Sequence, residues 1–259
     1  MPVIGLLHPG EMGSAVGGCL TAAGHVVLWA SRGRGAETAA RAGAAGLADA
    51  GTPADLAGRA DIVISVCPPH AALDVARSVL GFGGLFVDAN AVAPKTAREV
   101  AATVEGGGAS YVDGGIIGPP PASAGTTRLY LSGPAAGLVR DLFAGTPLDA
   151  RIVAGPAWAA SAVKMAYAAW TKGSAALVLT ALALAETEGV GDVLRAEWDL
   201  SQPGLQARHD AAARSAAAKG WRWTAEMDEI AATMTAAGLP AGFHAAAAEV
   251  FRGYPRGAD

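Results

Sequence analysis

The sequence predicts an α/β protein in which a Rossmann-type, doubly wound parallel sheet precedes a smaller all-α domain. Short apolar runs alternate with helical segments up to residue 155, a glycine-containing turn follows the first apolar run, and only helical patterns follow residue 155. Parallel strands require crossover connections, and helices supply them. We therefore predict a first domain over residues 1–155 and a second domain over residues 156–259.

The strands of the first domain are predicted from apolar runs that end at glycine, proline or polar residues. Five such runs cover residues 2–7, 25–30, 61–66, 84–88 and 109–113, and two further runs cover residues 129–132 and 149–153. The segments between the first five strands predict helices over residues 12–22, 35–45, 71–80 and 94–104.

The second domain is predicted to be helical throughout. Residues 157–187 have the pattern of one long helix, rich in alanine and leucine and interrupted only by Gly173. The later helical segments are expected to break at residues 203–204, 220, 238–240 and 253. Because this domain is too small to bury the long helix alone, we expect a homodimer that shares it.

Composition narrows the class of protein. Charged residues make up 16% of the chain, below the average of about 25%, and 52% of the residues are hydrophobic. Such a chain can bury a sizeable core and is not intrinsically disordered. The formal net charge is −4 without a basic cluster, so we expect neither a nucleic acid nor a membrane as partner.

Localisation and metal binding are inferred from local patterns. The N-terminus has no basic region before its short apolar run, and the apolar stretch at residues 175–185 is about half a membrane span. Cys19 and Cys67 lack the spacing of a metal site, and we expect both to be reduced thiols. These features predict a cytoplasmic protein without a bound metal.

The turn between the first strand and the first helix has the pattern of a dinucleotide-binding site. Such a turn needs glycine where the chain reverses, where the pyrophosphate approaches the backbone and where the helix packs on the strand. Gly10 and Gly13 occupy the second and third positions, whereas His8 occupies the first. Purely structural glycines are the alternative. The cofactor contacts predicted from this turn are His8, Pro9, Gly10, Glu11 and Met12.

The tip of the second strand indicates which dinucleotide binds. An NAD site usually has an acidic residue there for the ribose 2′-hydroxyl. This chain instead has Ser31, Arg32 and Arg34, and no acidic residue before Glu37. A hydroxyl and two guanidinium groups suit the 2′-phosphate of NADP, because arginine makes bidentate contacts to phosphate oxygens. The prediction is therefore NADP, and a solvated surface turn is the alternative.

Residues after the third and fourth strands are expected at the carboxyl edge of the sheet, where ligands of open α/β sheets bind. Cys67 and Pro68 follow the third strand, and Asn90 follows the fourth. We predict that all three contact the cofactor. His70 carries an imidazole suited to acid–base chemistry, but a helix-start residue that faces solvent is the favoured interpretation.

One lysine is a candidate for proton transfer. The chain has four lysines, and Lys164 lies among small residues on the long helix. Helical spacing puts Ser161, Tyr167 and Ala168 on its face, which leaves room for a ligand. Lys164 is either a general acid–base group or a lysine that extends its ammonium into solvent at a domain junction.

Four blocks of the chain resemble the β-hydroxyacid dehydrogenase and 6-phosphogluconate dehydrogenase superfamily. The blocks cover residues 5–13, 88–94, 113–119 and 161–168. The chain is most similar to the short branch whose phosphogluconate-dehydrogenase-like C-terminal domain has no known function. The resemblance implies that Lys164 is the catalytic lysine and that Asn90 contacts the substrate.

The chain departs from the family pattern where the substrate is held. Ile117 and Pro119 stand where the family has the serine and second glycine that hold a substrate carboxylate. Tyr167 and Ala168 stand where the family has an asparagine one turn beyond the lysine. We therefore expect an apolar pocket edge, and Tyr167 either supplies a second catalytic hydroxyl or packs against Trp170.

These residues together lead to a functional hypothesis. We predict an NADP-dependent oxidoreductase that transfers a hydride between nicotinamide and a carbonyl or alcohol carbon of a small molecule. Lys164 is the general acid–base group, Asn90 orients the reacting oxygen, and Tyr167 is a further catalytic candidate. Imine reduction on the same scaffold is one alternative, since an apolar pocket suits cyclic imines. A non-catalytic NADP-binding sensor is the other.

Overall fold

The computed structural model describes residues 1–255. The chain divides into two compact units, one over Met1–Lys164 and one that begins at Met165. The predicted second domain extends over residues 256–259, which lie outside the described residues. The predicted boundary between residues 155 and 156 precedes the long helix, whereas the first unit includes the first residues of that helix.

Eight strands form a single sheet within residues 1–255. Their bounds are β1 (Val3–Leu7), β2 (Val26–Trp29), β3 (Ala48–Asp49), β4 (Ile62–Ser65), β5 (Leu85–Asp88), β6 (Ser110–Ile117), β7 (Thr127–Ser132) and β8 (Leu148–Ile152). The order across the sheet is β3-β2-β1-β4-β5-β6-β7-β8. The strand order reverses between β1 and β4, so the ligand crevice of such a fold is expected at their carboxyl ends.

The predicted fold class is confirmed, and the sheet is mostly parallel. The strands from β1 to β6 pair in parallel, but β7 is antiparallel to β6, and β8 is parallel to β7. β6 extends to Ile117, beyond its predicted end at residue 113. The chain then turns at Gly118, whose φ is +127°, and returns without a crossover helix. The sequence predicted no direction for the last two strands, and this turn sets it.

Six α-helices of the first unit connect these strands within the described part of the chain. They are α1 (Glu11–Ala22), α2 (Ala36–Ala44), α3 (Pro53–Ala57), α4 (Ala72–Arg77), α5 (Pro94–Gly106) and α6 (Ala136–Leu142). The sequence pattern missed β3, α3 and α6, which are 2, 5 and 7 residues long and too short to show a periodicity. The helix predicted over residues 71–80 begins as a 3₁₀ turn at Pro69–Ala71 and ends earlier than expected.

Both faces of the sheet are buried, as a doubly wound fold requires. Adjacent residues of one strand point to opposite faces, so Leu6 and Leu7 belong to two different core clusters. This is why the strands appear in the sequence as continuous apolar runs without alternation.

Four helices follow the sheet in the described residues. They are α7 (Ala159–Thr187), α8 (Gly191–Ser201), α9 (Leu205–Ala236) and α10 (Gly242–Arg252). The predicted break at Gly220 was wrong, because α9 continues through this residue. A Cβ at Gly220 would lie 2.9 Å from the Cβ of Tyr254, so the glycine serves close packing and not helix termination.

The helix α7 is long and apolar enough, by length and composition alone, to cross a membrane, with a mean hydropathy of 1.4 in its best window. A core helix of a soluble protein meets the same criteria. Lys172 in the middle of α7 lies 2.7 Å from Glu226 of α9, and the two side chains are 16% and 11% exposed. This ion pair shows α7 packed within the helical unit.

Candidate active site

The strand register aligns four residues in one row across the sheet. Leu7 pairs with Ser65, Ser65 with Asp88, and Asp88 with Asp113. Segments that follow this row therefore meet at one carboxyl edge, although they are remote from one another in sequence. They are the first turn, the loop at Cys67, Asn90 and the end of β6.

The first turn reverses at His8, whose φ of +68° is the one positive value among the non-glycine residues that the structure describes. The Gly10 N–H donates to the His8 carbonyl oxygen at 2.8 Å. A Cβ on Gly13 would collide with that same oxygen, so α1 can pack against the turn only with glycine there. His8 thus adopts a backbone conformation that glycine adopts far more readily.

The N-terminus of α1 fits the pyrophosphate of a dinucleotide. Gly10 is the N-cap residue of α1, and a Cβ on it would meet no atom within 4 Å. Protein packing therefore does not require glycine at this position, whereas a pyrophosphate that approaches the backbone does. Of the other predicted contacts, Pro9 is buried, Glu11 is exposed and Met12 packs against the core.

The tip of β2 lies beside the carboxylate of Asp49, which is distant from it in the sequence. β3 pairs with β2 and places Asp49 opposite Trp29. The Gly51 N–H donates to the Asp49 carboxylate at 2.7 Å, and the Ser31 hydroxyl also hydrogen-bonds it. These bonds, that from Gly51 first, lower the pKa of Asp49. A negative charge therefore stands next to a residue predicted to bind the 2′-phosphate.

The two arginines at the tip of β2 have different neighbours. The Thr52 hydroxyl, and more weakly the charge of Arg32, lower the pKa of Asp55, which places Arg32 towards α3. Arg34 instead reaches the first turn, where its Nη2 lies 2.5 Å from Nε2 of His8. Both arginine residues are exposed. The pair predicted to share one phosphate is therefore divided between two places.

Asn90 joins the ends of β4 and β5. Its carboxamide oxygen accepts the Cys67 N–H at 2.5 Å, and its carboxamide nitrogen donates to Ser65 Oγ at 3.0 Å. The residue is 2% exposed, and its backbone N–H donates to Asp88 at 3.1 Å. Asn90 therefore fixes the loop that begins at Cys67, and its contact with cofactor or substrate stays a prediction.

The loop after β4 carries the other residues predicted at this edge. Burial is the main cause that raises the pKa of the Cys67 thiol to about 12, so the thiol stays protonated and unreactive. Pro68 is exposed and precedes the 3₁₀ turn, and His70 within that turn is also exposed. This agrees with the solvent-facing interpretation of His70.

A buried carboxylate on β6 holds the first turn of α7. Asp113 Oδ2 accepts the Ser161 N–H at 2.8 Å, and Oδ1 accepts the Ser161 hydroxyl at 2.5 Å. Ser132 Oγ accepts the Ala160 N–H at 2.9 Å and donates to Asp113 Oδ2 at 3.0 Å. Side chains of the sheet thus satisfy two N–H groups that a helix N-terminus leaves without intrahelical partners.

This attachment places Lys164 over β6. A Cβ on Gly115 would lie 2.9 Å from the Cβ of Lys164 and 3.0 Å from the Ala160 carbonyl oxygen, so glycine permits the close approach. Gly115 lies two residues beyond Asp113, which is level with the end of β5. The half-buried Lys164 therefore stands at the same carboxyl edge as the first turn and Asn90.

Sequence reasoning missed Asp113 and Gly115 as residues that position the lysine. Both lie in the block at residues 113–119, but the sequence does not show that they face α7. Tyr167 follows Lys164 on α7, belongs to the second unit and is 48% exposed, so its catalytic role stays a prediction. Ile117 is buried at the end of β6 and Pro119 is exposed in the following loop, and the expected apolar pocket edge stays a prediction.

Two buried carboxyl groups lie side by side in this region. Burial is the main cause that raises the pKa of Asp88 to about 7, and the neighbouring charge of Asp113 adds to the shift. Burial also raises the pKa of Asp113, against the hydrogen bonds from Ser161. Near neutral pH Asp88 is therefore divided between its neutral and charged forms.

Comparison with known families identifies two parts of the chain. Residues 2–140 match the NAD binding domain of 6-phosphogluconate dehydrogenase. Residues 185–254 match a domain of unknown function, DUF1932. Among curated proteins, none matches the chain.

Solved structures share the fold over almost the whole chain. A conserved hypothetical protein from Sinorhizobium meliloti 1021 is 27% identical with a TM-score of 0.72, covering 97% of this chain and 88% of that chain. A 3-hydroxyisobutyrate dehydrogenase from Mycobacterium tuberculosis is 23% identical with a TM-score of 0.73, covering 98% and 94%. An imine reductase from Myxococcus stipitatus in complex with NADP+ is 22% identical with a TM-score of 0.62, covering 97% and 93%.

The buried Asp88 carboxyl predicts a pH dependence of stability. Its folded pKa of about 7 exceeds the ordinary value of 3.8, so between these values the folded state binds more protons than the unfolded state. The free energy of unfolding should therefore fall as pH rises through this window, by at most about 1.4 kcal/mol per pH unit.

Asp88→Asn should remove this pH-dependent component of the free energy of unfolding in urea denaturation measured at a series of pH values. Asp192→Asn, an exposed control on α8, should keep it. An Asp88→Asn protein with the full slope would contradict the assignment.

Proposed function

The chain belongs to the family of the NAD binding domain of 6-phosphogluconate dehydrogenase, and on that premise we propose an NADP-dependent oxidoreductase that acts on a carbonyl or alcohol carbon of a small molecule. Membership supports an NAD(P)-dependent oxidoreductase in general, and the NADP preference, the substrate class and the role of Lys164 are our proposal. The observation that carries it is that the first turn and Lys164 meet at one carboxyl edge of the sheet.

The residues that would hold the cofactor lie at the first turn and at the tip of β2. The N-terminus of α1 at Gly10 suits the pyrophosphate, and Ser31 and Arg32 suit the 2′-phosphate. When bound, the nicotinamide supplies the hydride, which no protein side chain can supply.

Lys164 is the proposed proton donor. During reduction its ammonium gives a proton to the carbonyl oxygen as that oxygen gains negative charge, and during oxidation its amine takes the proton from the alcohol. The positive charge also stabilises the developing alkoxide. Asp113 and Gly115 act indirectly, because they fix the helix turn from which Lys164 extends. Tyr167 is the candidate for a second hydroxyl donor to the substrate.

Asn90 receives a positioning role in this proposal. Its carboxamide already bonds the Cys67 N–H and the Ser65 hydroxyl, so it holds the loop after β4 against the end of β5. The orientation of the reacting oxygen, which the sequence assigned to Asn90 directly, would then follow from the position of this loop.

Single-turnover oxidation of NADPH tests the proposed function. The purified protein is mixed with NADPH and with ketones, keto acids or imines, and the absorbance of the reduced nicotinamide is followed. Turnover with a ketone or keto acid supports the proposal. Turnover with imines alone replaces it with imine reduction, and NADPH binding without turnover on any member of the panel replaces it with the sensor function.

Removal of the Lys164 ammonium should slow the chemical step without changing how tightly the cofactor binds. We expect Lys164→Ala to lower turnover by about 10²–10⁴-fold, the usual contribution of a general acid or base. The dissociation constant for NADPH should stay unchanged, because the cofactor is held by the first turn and the tip of β2. Lys219→Ala, an exposed residue of α9, is the control. Near-full activity of Lys164→Ala would exclude the lysine from proton transfer.

Charges at the tip of β2 should set the choice between NADP and NAD. Arg32→Asp should switch the preference to NADH, because an acidic residue repels the 2′-phosphate and binds the ribose hydroxyls. Asp49→Asn should raise the preference for NADPH by about tenfold, the factor that corresponds to about 1.4 kcal/mol. The measurement is the ratio of kcat/KM for NADPH to that for NADH. Equal ratios in Asp49→Asn and the unsubstituted protein would show that this carboxylate does not act on the phosphate.

We also propose a homodimer that forms along α7. Trp170, Leu177 and Leu184 are spaced seven residues apart on this helix and are 71%, 56% and 63% exposed. Large exposed apolar side chains in one stripe are typical of a protein interface. A second copy of α7 presents the same stripe and is a self-complementary partner.

A charge in this stripe should dissociate the dimer. Trp170→Glu should sediment as a monomer at concentrations where the unsubstituted protein sediments as a dimer, because an unpaired carboxylate would be buried at the interface. Leu239→Glu changes an equally apolar residue, 55% exposed and outside the stripe, and should remain dimeric. A dimeric Trp170→Glu protein would place the interface elsewhere.

A further inference from the structure

His8 occupies a position where its residue type is unfavourable for the backbone. Its φ of +68° suits glycine, and the dinucleotide-binding turn ordinarily has glycine there. A side chain retained against such strain indicates a function for that side chain. The imidazole of His8 makes one contact with a charged group, between its Nε2 and Nη2 of Arg34.

The chemistry of this contact fixes the state of the ring. A guanidinium can only donate, so Nε2 of His8 accepts and its Nδ1 carries the proton. Burial, and next the charge of Arg34, lower the pKa of His8 to about 4, which agrees with a neutral ring. Nδ1 is buried and has no hydrogen-bond partner in the part of the chain that the structure describes. Folding alone would not favour this arrangement, because a buried donor without a partner is destabilising.

The guanidinium of Arg34 is thereby held at the first turn. A tight turn brings it there, since the Arg34 N–H donates to the Ser31 carbonyl oxygen at 3.0 Å and Gly33 has a φ of +77°. Arg34 lies close enough to Cys67, which follows β4 at the same carboxyl edge, for its charge to lower the pKa of that thiol against the larger effect of burial. Arg32 lies apart from this turn, near Asp55.

We propose that His8 is a positioning residue that holds Arg34 on the pyrophosphate shared by NADP and NAD, so that Arg34 sets affinity for both dinucleotides and the 2′-phosphate is left to Ser31 and Arg32. This inference rests on the proposed function, because it assumes that the first turn binds a dinucleotide. It differs from the sequence-based assignment of Arg34 to the 2′-phosphate. It also gives a reason for histidine at a glycine position, since glycine has no side chain that could hold a guanidinium.

Nucleotide binding by four variants tests the proposal without any substrate. His8→Gly suits the backbone and removes the imidazole, whereas His8→Asn tolerates the positive φ and keeps an acceptor. Arg34→Gln and the double variant His8→Gly/Arg34→Gln complete the set. Dissociation constants for NADPH and NADH are measured by titration of the nicotinamide fluorescence.

We expect His8→Gly to weaken the binding of NADPH and of NADH by the same factor, about tenfold or more. We expect His8→Asn to retain most of the affinity for both. The double variant should be no weaker than Arg34→Gln alone, since His8 acts only through Arg34. Arg32→Gln is the matched control, and it should weaken the binding of NADPH but not of NADH.

Three results would overturn the inference. They are a His8→Gly protein with unchanged affinities, a loss confined to NADPH, and additive losses in the double variant. If the unsubstituted protein binds neither nucleotide, the proposed function falls together with this inference. If it binds both nucleotides and His8→Gly binds them equally well, only the inference falls.

Discussion

The buried contact between Asp113 and the first turn of α7 is the interaction on which the site depends. Asp113 is fully buried on β6, and its carboxylate accepts both the N–H and the hydroxyl of Ser161. Hydrogen bonds to a charged group are worth about 1.5–3 kcal/mol each, so the helix turn is held firmly. Lys164 lies less than one turn further along α7, and Gly115 on the same strand leaves room for it. The position of the lysine at the sheet edge is therefore a consequence of one strand and one carboxylate.

The rest of the edge follows from the strand register. β1, β4 and β5 end at one level, which β6 reaches at Asp113 before it continues to Ile117, so the segments after the first three strands lie beside the last part of β6. Asn90 stiffens this edge by bonding the segment after β4 to the end of β5. The proposed role of Lys164 as a general acid needs a fixed distance from the reacting atom, and these contacts would supply that rigidity. In the first turn, the left-handed backbone of His8 similarly fixes where the N-terminus of α1 points.

Much of the fold could be predicted because local patterns are strong in this chain. Apolar runs between turn residues predicted seven of the strands near their observed places, and the glycine pattern placed the first turn. The direction of β7 could not be predicted, since it depends on whether residues 118–126 form a crossover helix or a loop. Gly220 was misjudged for a related reason. The sequence shows a glycine but not the Tyr254 side chain that packs against it.

The sequence by itself determined seven of the strands, the helices longer than a few residues, the dinucleotide turn and the one lysine in a setting of small residues. Each of these depends on residues that are close together in the chain, where periodicity and turn chemistry act. Only the tertiary structure decided that Asp49 lies beside Ser31. It also decided that the Arg34 side chain reaches His8. Likewise, only the tertiary structure showed that Asp113 holds the helix turn that carries Lys164. These three contacts join segments distant in sequence, and they exist because strand order and register place those segments side by side.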